Sequence, residues 1–149
     1  MADINLTQAD ADTLIEMEKH RENNDEWRYP LPGDRMNVPL ISANGREAFH
    51  LDISRGRIDL AKHTFQNRGR SVIVLVRLDL AGPSHRNPDD AFVPAPHLHV
   101  YREGFGDKWA IALPNEHFRD ITDRNKTLED FMSFCNITQK PIIREDLFS

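Results

Sequence analysis

The sequence predicts an α+β fold: an antiparallel meander sheet of about six strands, with an N-terminal helix and a C-terminal helix packed on one face. Three observations predict it. An apolar period of 3.6 residues occurs only near the two ends of the chain. Period-2 alternation fills the middle. The connections between the middle segments are mostly too short for crossovers, so sequential strands must run antiparallel. With 149 residues, a single α+β domain spanning 1–149 is expected.

Taken in order, Thr7 is a good N-cap for a helix from Gln8 to about Glu22, with Asp10 at the third helical position. Ala11, Leu14, Ile15 and Glu18 share a face there, a thin apolar stripe. Val38–Ala43 and Glu47–Ser54 flank Asn44-Gly45, whose two residues both tolerate positive φ and so favour a tight hairpin. Arg55-Gly56 turns the chain into a strand over Arg57–Gln66, and Asn67–Arg70 leads into Ser71–Leu80. His97–Glu103 and Lys108–Leu113 pair across Gly104–Asp107. Finally, Thr127 caps a helix carrying Leu128, Phe131, Met132 and Cys135 at i, i+3, i+4 and i+7, Pro141 ends it, and Ile142-Ile143 adds an edge strand or a packed tail.

Alternation assigns faces. Phe49, Leu51 and Ile53, then Val72, Val74, Val76 and Leu78, then Leu98 and Val100 line the core, joined by Trp109, Ile111 and Leu113. The other face carries His50, Asp52, Arg77, Asp79, His97, His99, Tyr101 and Glu103. Ile58 and Leu60 are out of phase with Phe65, which predicts a bulge near Lys62–Thr64.

Composition narrows the function classes. Hydrophobic residues make up 39% and charged residues 29%, too apolar for disorder. No apolar run reaches the length of a membrane span, so no membrane association is expected. The opening Met1–Asn5 is acidic and polar, unlike a signal peptide. Cys135 is the only cysteine, which excludes an internal disulfide and fits a cytoplasmic location. Net charge is −5, yet Arg55 to Arg77 holds six bases against one acid, leaving −10 for the rest. Such a basic centre can hold a polyanion locally, or it can be strand-edge arginines in water.

Two constellations can carry chemistry. Alternate strand positions put His97 and His99 about 7 Å apart on one side, where they can share zinc or manganese with His85 or Asp89 from the adjoining loop. The same pattern also arises on a solvated face with no cofactor. The spacing His97-X-His99-X-X-X-Glu103 resembles the first half of a cupin metal motif. Ala91 and Ala110 stand where that motif has glycines and no second motif follows, so cupin membership is rejected. The second constellation is Arg57, Lys62, His63, Arg68 and Arg70, cations suited to holding nucleic-acid phosphates. With His97, His99, Tyr101, Glu103 and Arg77 as acid, base and charge-stabilising groups, these residue types suffice for a metal-independent ribonuclease. The loop Ala81–Pro96 has sixteen residues and four prolines, a length that marks either a lid over the polar face or a surface excursion. Cys135 sits on an apolar stripe and is discounted as a nucleophile.

The motifs His50-Leu51-Asp52-Ile53, Arg77-Leu78-Asp79-Leu80, His85-X-Asn87-Pro88-Asp89, His97–Gly104 and Lys108-Trp109-Ala110 together resemble a bacterial family classed only as a domain of unknown function, over residues 48–136. The resemblance implies a small stand-alone bacterial or mobile-element protein and brings no activity with it. The layout also resembles small ribonuclease toxins, by architecture alone. Three expectations therefore stand. The first is an RNA-acting protein of toxin or defence type, a metal-independent endoribonuclease with no cofactor. The second is a non-catalytic module that contacts a protein partner, such as a regulatory or phage-related inhibitor. The third is a metal-dependent hydrolase using His85, His97 and His99.

Overall fold

The computed structural model of the chain describes residues 5–145, so Met1–Ile4 of the opening segment lie outside the described residues. Thr7 caps α1 (Gln8–Glu16), its hydroxyl accepting from the Asp10 amide at 3.1 Å. The helix is shorter than predicted. Lys19–Arg21 form a strand, β1, instead. The cause is Lys19, which is fully buried. Its ammonium donates to the carbonyls of Ile15, Met17 and Cys135 at 2.8–2.9 Å and lies over the Phe49 ring. Carbonyls that a longer helix would pair internally are thus satisfied by a side chain.

The strands that follow are β2 (Glu26–Arg28), β3 (Arg35–Ser42), β4 (Ala48–Arg55), β5 (His63–Gly69), β6 (Ile73–Asp79), β7 (His85–Arg86), β8 (Phe92–Val93), β9 (His97–Val100) and β10 (Ala110–Ala112). After them come α2 (Arg124–Phe134), β11 (Ile137–Gln139) and β12 (Ile142–Arg144). The main sheet has eight strands in the order β10-β9-β6-β5-β4-β3-β1-β11. Six of these are the predicted meander, and β1 with β11, a parallel pair, extend it. Ile142 and Ile143 do form a strand, but it pairs in parallel with β2 outside the main sheet. A two-residue ladder of β7 and β8 gives the 81–96 loop structure of its own. No described helix is long and apolar enough to cross a membrane.

Several predicted boundaries move. Residues 57–62 are loop rather than strand, and Ile58 and Leu60 are exposed because no sheet face receives them. Asn67–Gly69 belong to β5, and the turn falls at Arg70 and Ser71, both at positive φ. The predicted bulge is displaced to β6. Asn67 pairs with Val76 while Arg68 pairs with Val74, so Leu75 is the extra residue. That bulge reverses the phase within β6. Ile73 and Leu75 are buried on one side of it, Val76 and Leu78 on the other, while Val72 is exposed. Ile111 is exposed on the edge strand β10, and Trp109 is only half-buried.

The core gathers Phe49, Leu51, Ile53, Phe65, Leu78 and Leu98 from the sheet with Ala11 and Leu14 of α1 and Phe131 and Met132 of α2. Phe131 reaches Phe65, ring centroids 6.0 Å apart. The N-cap of α2 is Asp123, accepting from the Lys126 amide, and not Thr127. Thr127 is buried inside the first turn, where its hydroxyl donates to the carbonyls of Asp120 and Asp123. Asn136, at positive φ, closes the helix well before Pro141.

Candidate functional site

Strand register builds the site. Asp52, Gln66, Arg77 and His99 are successive cross-strand partners on β4, β5, β6 and β9, and Ser54, Thr64, Asp79 and His97 form the next row. Because the Leu75 bulge lies before Arg77, both members of Arg77-X-Asp79 project to the same side as His97-X-His99. Four polar side chains therefore meet over two adjacent strands, on the face turned from the apolar core.

Asp79 Oδ2 is the hub. His97 Nε2 lies 3.1 Å from it, His99 Nε2 3.2 Å and an Arg77 Nη2 3.3 Å. Thr64 donates its hydroxyl proton to Asp79 Oδ1 at 3.0 Å. Burial opposes ionisation of Asp79, but His99, the Arg77 guanidinium and the Thr64 hydroxyl outweigh it and hold the carboxyl well below its ordinary range. His99 Nδ1 donates to the Asp107 carbonyl at 2.7 Å, with Nε2 turned to Asp79. Arg77 donates to that Nε2 at 3.0 Å and to Asp107 Oδ2 at 2.9 Å. Both imidazoles are nearly inaccessible, at 3% and 1% exposure. Among the described residues, His97 Nδ1 and Arg77 Nε are buried without a hydrogen-bond partner.

The proline-rich loop closes over this cluster. His85 donates Nε2–H to the Lys108 carbonyl at 2.7 Å, and its ring centroid stands 4.5 Å from that of His99 and 5.9 Å from that of His97. Asn87 behaves as a piece of backbone: its amide donates to the Ala110 carbonyl and its oxygen accepts from the Ala110 amide. Between loop and sheet lies a cleft of about 400 Å3 whose lining includes Lys62, Thr64, Arg77, Asp79, Ser84, His85 and His97.

Of the residues expected in an acid–base set, Arg77, His97 and His99 come together here. Tyr101 and Glu103 do not. Strand β9 ends at Val100, and the Tyr101 amide donates to the carbonyl of the bulged Leu75, which turns the following side chains toward α1. The Tyr101 hydroxyl accepts from the Leu6 amide and donates to its carbonyl, and the Glu103 carboxylate accepts from the Gln8 amide. Both residues dock a helix. The expected phosphate-holding group is also dispersed. His63 is buried against the Tyr29 hydroxyl at 2.8 Å, Arg68 is engaged by Asp52 and the Ser71 carbonyl, and Arg70 reaches Glu47 at the hairpin end. Arg57 is exposed beside Gly33, and only Lys62 lines the cleft. Burial pushes the Cys135 thiol up to about 12, in keeping with an inert core side chain.

The expected metal trio changes by one member. Asp79, His97 and His99 offer ligand atoms within 4.8 Å of one another, and His85 stands beside them rather than among them. Asp89 is elsewhere, accepting from the Ala91 amide in the loop turn. Sequence reasoning placed Asp79 on the polar face but missed it as a ligand candidate. The signal was present: two X-charge alternations, Arg77-X-Asp79 and His97-X-His99, needed only the right register to be superposed.

A family model described as a family of unknown function (DUF6978) matches residues 6–137, and the chain belongs to that family. No curated protein and no solved structure matches the chain.

Proposed function

Because membership of that family carries no activity with it, we propose that this protein is a metal-dependent hydrolase whose centre is Asp79, His97 and His99, with zinc or manganese as the ion. One observation carries the reading: the contacts of Asp79 Oδ2 with His97 Nε2 and His99 Nε2, at 3.1 and 3.2 Å. Two ligand atoms bonded to one ion at about 2.1 Å, at octahedral or tetrahedral angles, stand roughly 3.0–3.4 Å apart. Arg77 Nη2 stands between His99 Nε2 and Asp79 Oδ2, at 3.0 and 3.3 Å, so this point already holds a cation. The Asp107 carbonyl on Nδ1 is also the kind of outer partner that orients a ligating imidazole.

A bound zinc or manganese ion would acidify a water and so supply the nucleophile of a hydrolysis. The water oxygen would join the electrophilic atom, the ester bond would break and a proton would pass to the departing oxygen. In this reading His85, whose Nε2–H is tied to the Lys108 carbonyl, carries that proton across the cleft. Elemental analysis of protein purified without chelator tests the proposal. About one equivalent of zinc or manganese is expected, lost in Asp79→Ala and in His97→Ala. Metal content near zero, with no thermal shift on adding either ion, would sink it.

The position of Arg77 favours a second reading. A guanidinium held on Asp79 and His99 can neutralise a phosphorane without any metal, with His97 as general base oriented by Asp79. This is the metal-independent ribonuclease of the sequence expectations. RNA cleavage that persists in excess chelator and fails in Arg77→Met would select it.

A further inference from the structure

We propose that the cleft beside this centre is a phosphate-ester site, with Lys62 as the residue that holds the phosphate; the inference rests on the metal-centre reading. Lys62 belongs to the loop between β4 and β5, remote in sequence from the ligands. Its aliphatic stem lies along Gly82 at the root of the proline-rich loop: a β-carbon built on Gly82 would sit 3.7 Å from Lys62 Cε. The glycine, at φ +119°, leaves room for the stem to run toward the cleft. Among the described residues no ion pair involves the Lys62 ammonium, in contrast to Arg68, Arg70 and Arg77. A cation that lines a cleft beside Arg77 and has no ion pair of its own is placed to receive an anionic ligand.

Charge counting defines that ligand. In the lining, Lys62 and Arg77 stand against the single carboxylate of Asp79, and Arg77 is shared with Asp107. A divalent ion on Asp79, His97 and His99 would add positive charge beside Lys62, which an anionic phosphate ester complements. An ion on those three residues would take the place that Arg77 Nη2 holds between His99 Nε2 and Asp79 Oδ2. Arg77 would keep its second arm on Asp107 and turn the freed Nη to the cleft, a charged donor for phosphoryl oxygens beside Lys62. Ser84 adds a hydroxyl on the loop side. Size agrees: a cleft of about 400 Å3 over nearly buried imidazoles admits a small ester or a strand end, not the side of a duplex.

The test is calorimetric titration of the zinc-loaded full chain with inorganic phosphate, with Lys62→Met beside the wild type and zinc content measured on both. One phosphate per chain is expected for the wild type. Its affinity should fall about tenfold or more in Lys62→Met, the scale of one lost charge-assisted hydrogen bond, while zinc content stays unchanged. Acetate should compete poorly. Zinc-loaded wild type that takes up no phosphate, or Lys62→Met that binds it as tightly, overturns the inference and leaves the metal centre standing. Failure to take up zinc overturns both.

Discussion

His63 is buried beside Tyr29, with its Nδ1 2.8 Å from the phenol oxygen. Burial, then the charges of Arg124 and Arg55, push its pKa down to about 4, against a weaker pull from the Leu60 backbone and Asp59. Arg124 stacks on Tyr29 and pairs with Glu145. The unfolded chain takes up this proton near pH 6.5, whereas the folded one resists it until about 4. The stability contribution is therefore complete above about 6.5 and is lost as pH falls toward 4, by up to about 3 kcal/mol. Urea unfolding at pH 7 and pH 4.5 should show that loss, and His63→Gln should remove most of the difference. Lys19 is the other residue whose ionisation the fold constrains. Burial lowers it to about 8, so at neutral pH it remains an ammonium whose three N–H groups each serve one carbonyl. Lys19→Met would strand those carbonyls at the ends of both helices and should cost about 2–4 kcal/mol in chemical denaturation. An unchanged midpoint would mean the carbonyls find other donors.

The proline-rich loop is tied to the edge strand by a single side chain. Asn87 takes both the amide and the carbonyl of Ala110, in the place of another strand, and so shields an edge that would otherwise be open for pairing. Asn87→Ala should cost about 1–3 kcal/mol. Its particular signature is faster hydrogen exchange at the Ala110 amide, with the β4–β5 amides unaffected. Because the same loop carries His85 over the centre, this variant should also weaken any activity there without removing a ligand. Exchange at Ala110 as slow as in the wild type would show that the loop holds its place through the β7–β8 ladder and the His85 bond alone.

At the scale of the molecule, the basic centre of the sequence does not become a basic surface. Its six cations are split among Asp52, Glu47, the Asp79–Asp107 cluster, the Pro30 carbonyl, the Gly33 side of the sheet and the cleft. What the sheet brings together instead are Asp79, His97 and His99, on β6 and β9 near one edge of the sheet. An ion held there, as proposed, would favour the folded state by mass action, about 2.7 kcal/mol when free metal is 100 times Kd. For a chain of this length that corresponds to a rise in Tm of about 5–10 °C. Zinc or manganese should produce it in the wild type and fail to produce it in His97→Ala; an equal rise in both would place the ion elsewhere.

The sequence by itself determined the class of the fold, the six-strand meander and the Thr7 cap, because these follow from local period, turn chemistry and short connections. It also determined that His97 and His99 share a side, since that needs only an extended backbone between them. Tertiary structure alone decided the rest. Whether residue 19 continues a helix depended in part on one carbonyl 116 residues away, that of Cys135, and which way Tyr101 and Glu103 face depended on a bulge in a neighbouring strand. Asp79 joined the two histidines because register between strands is set by the packing of a shared core, a property of no single segment.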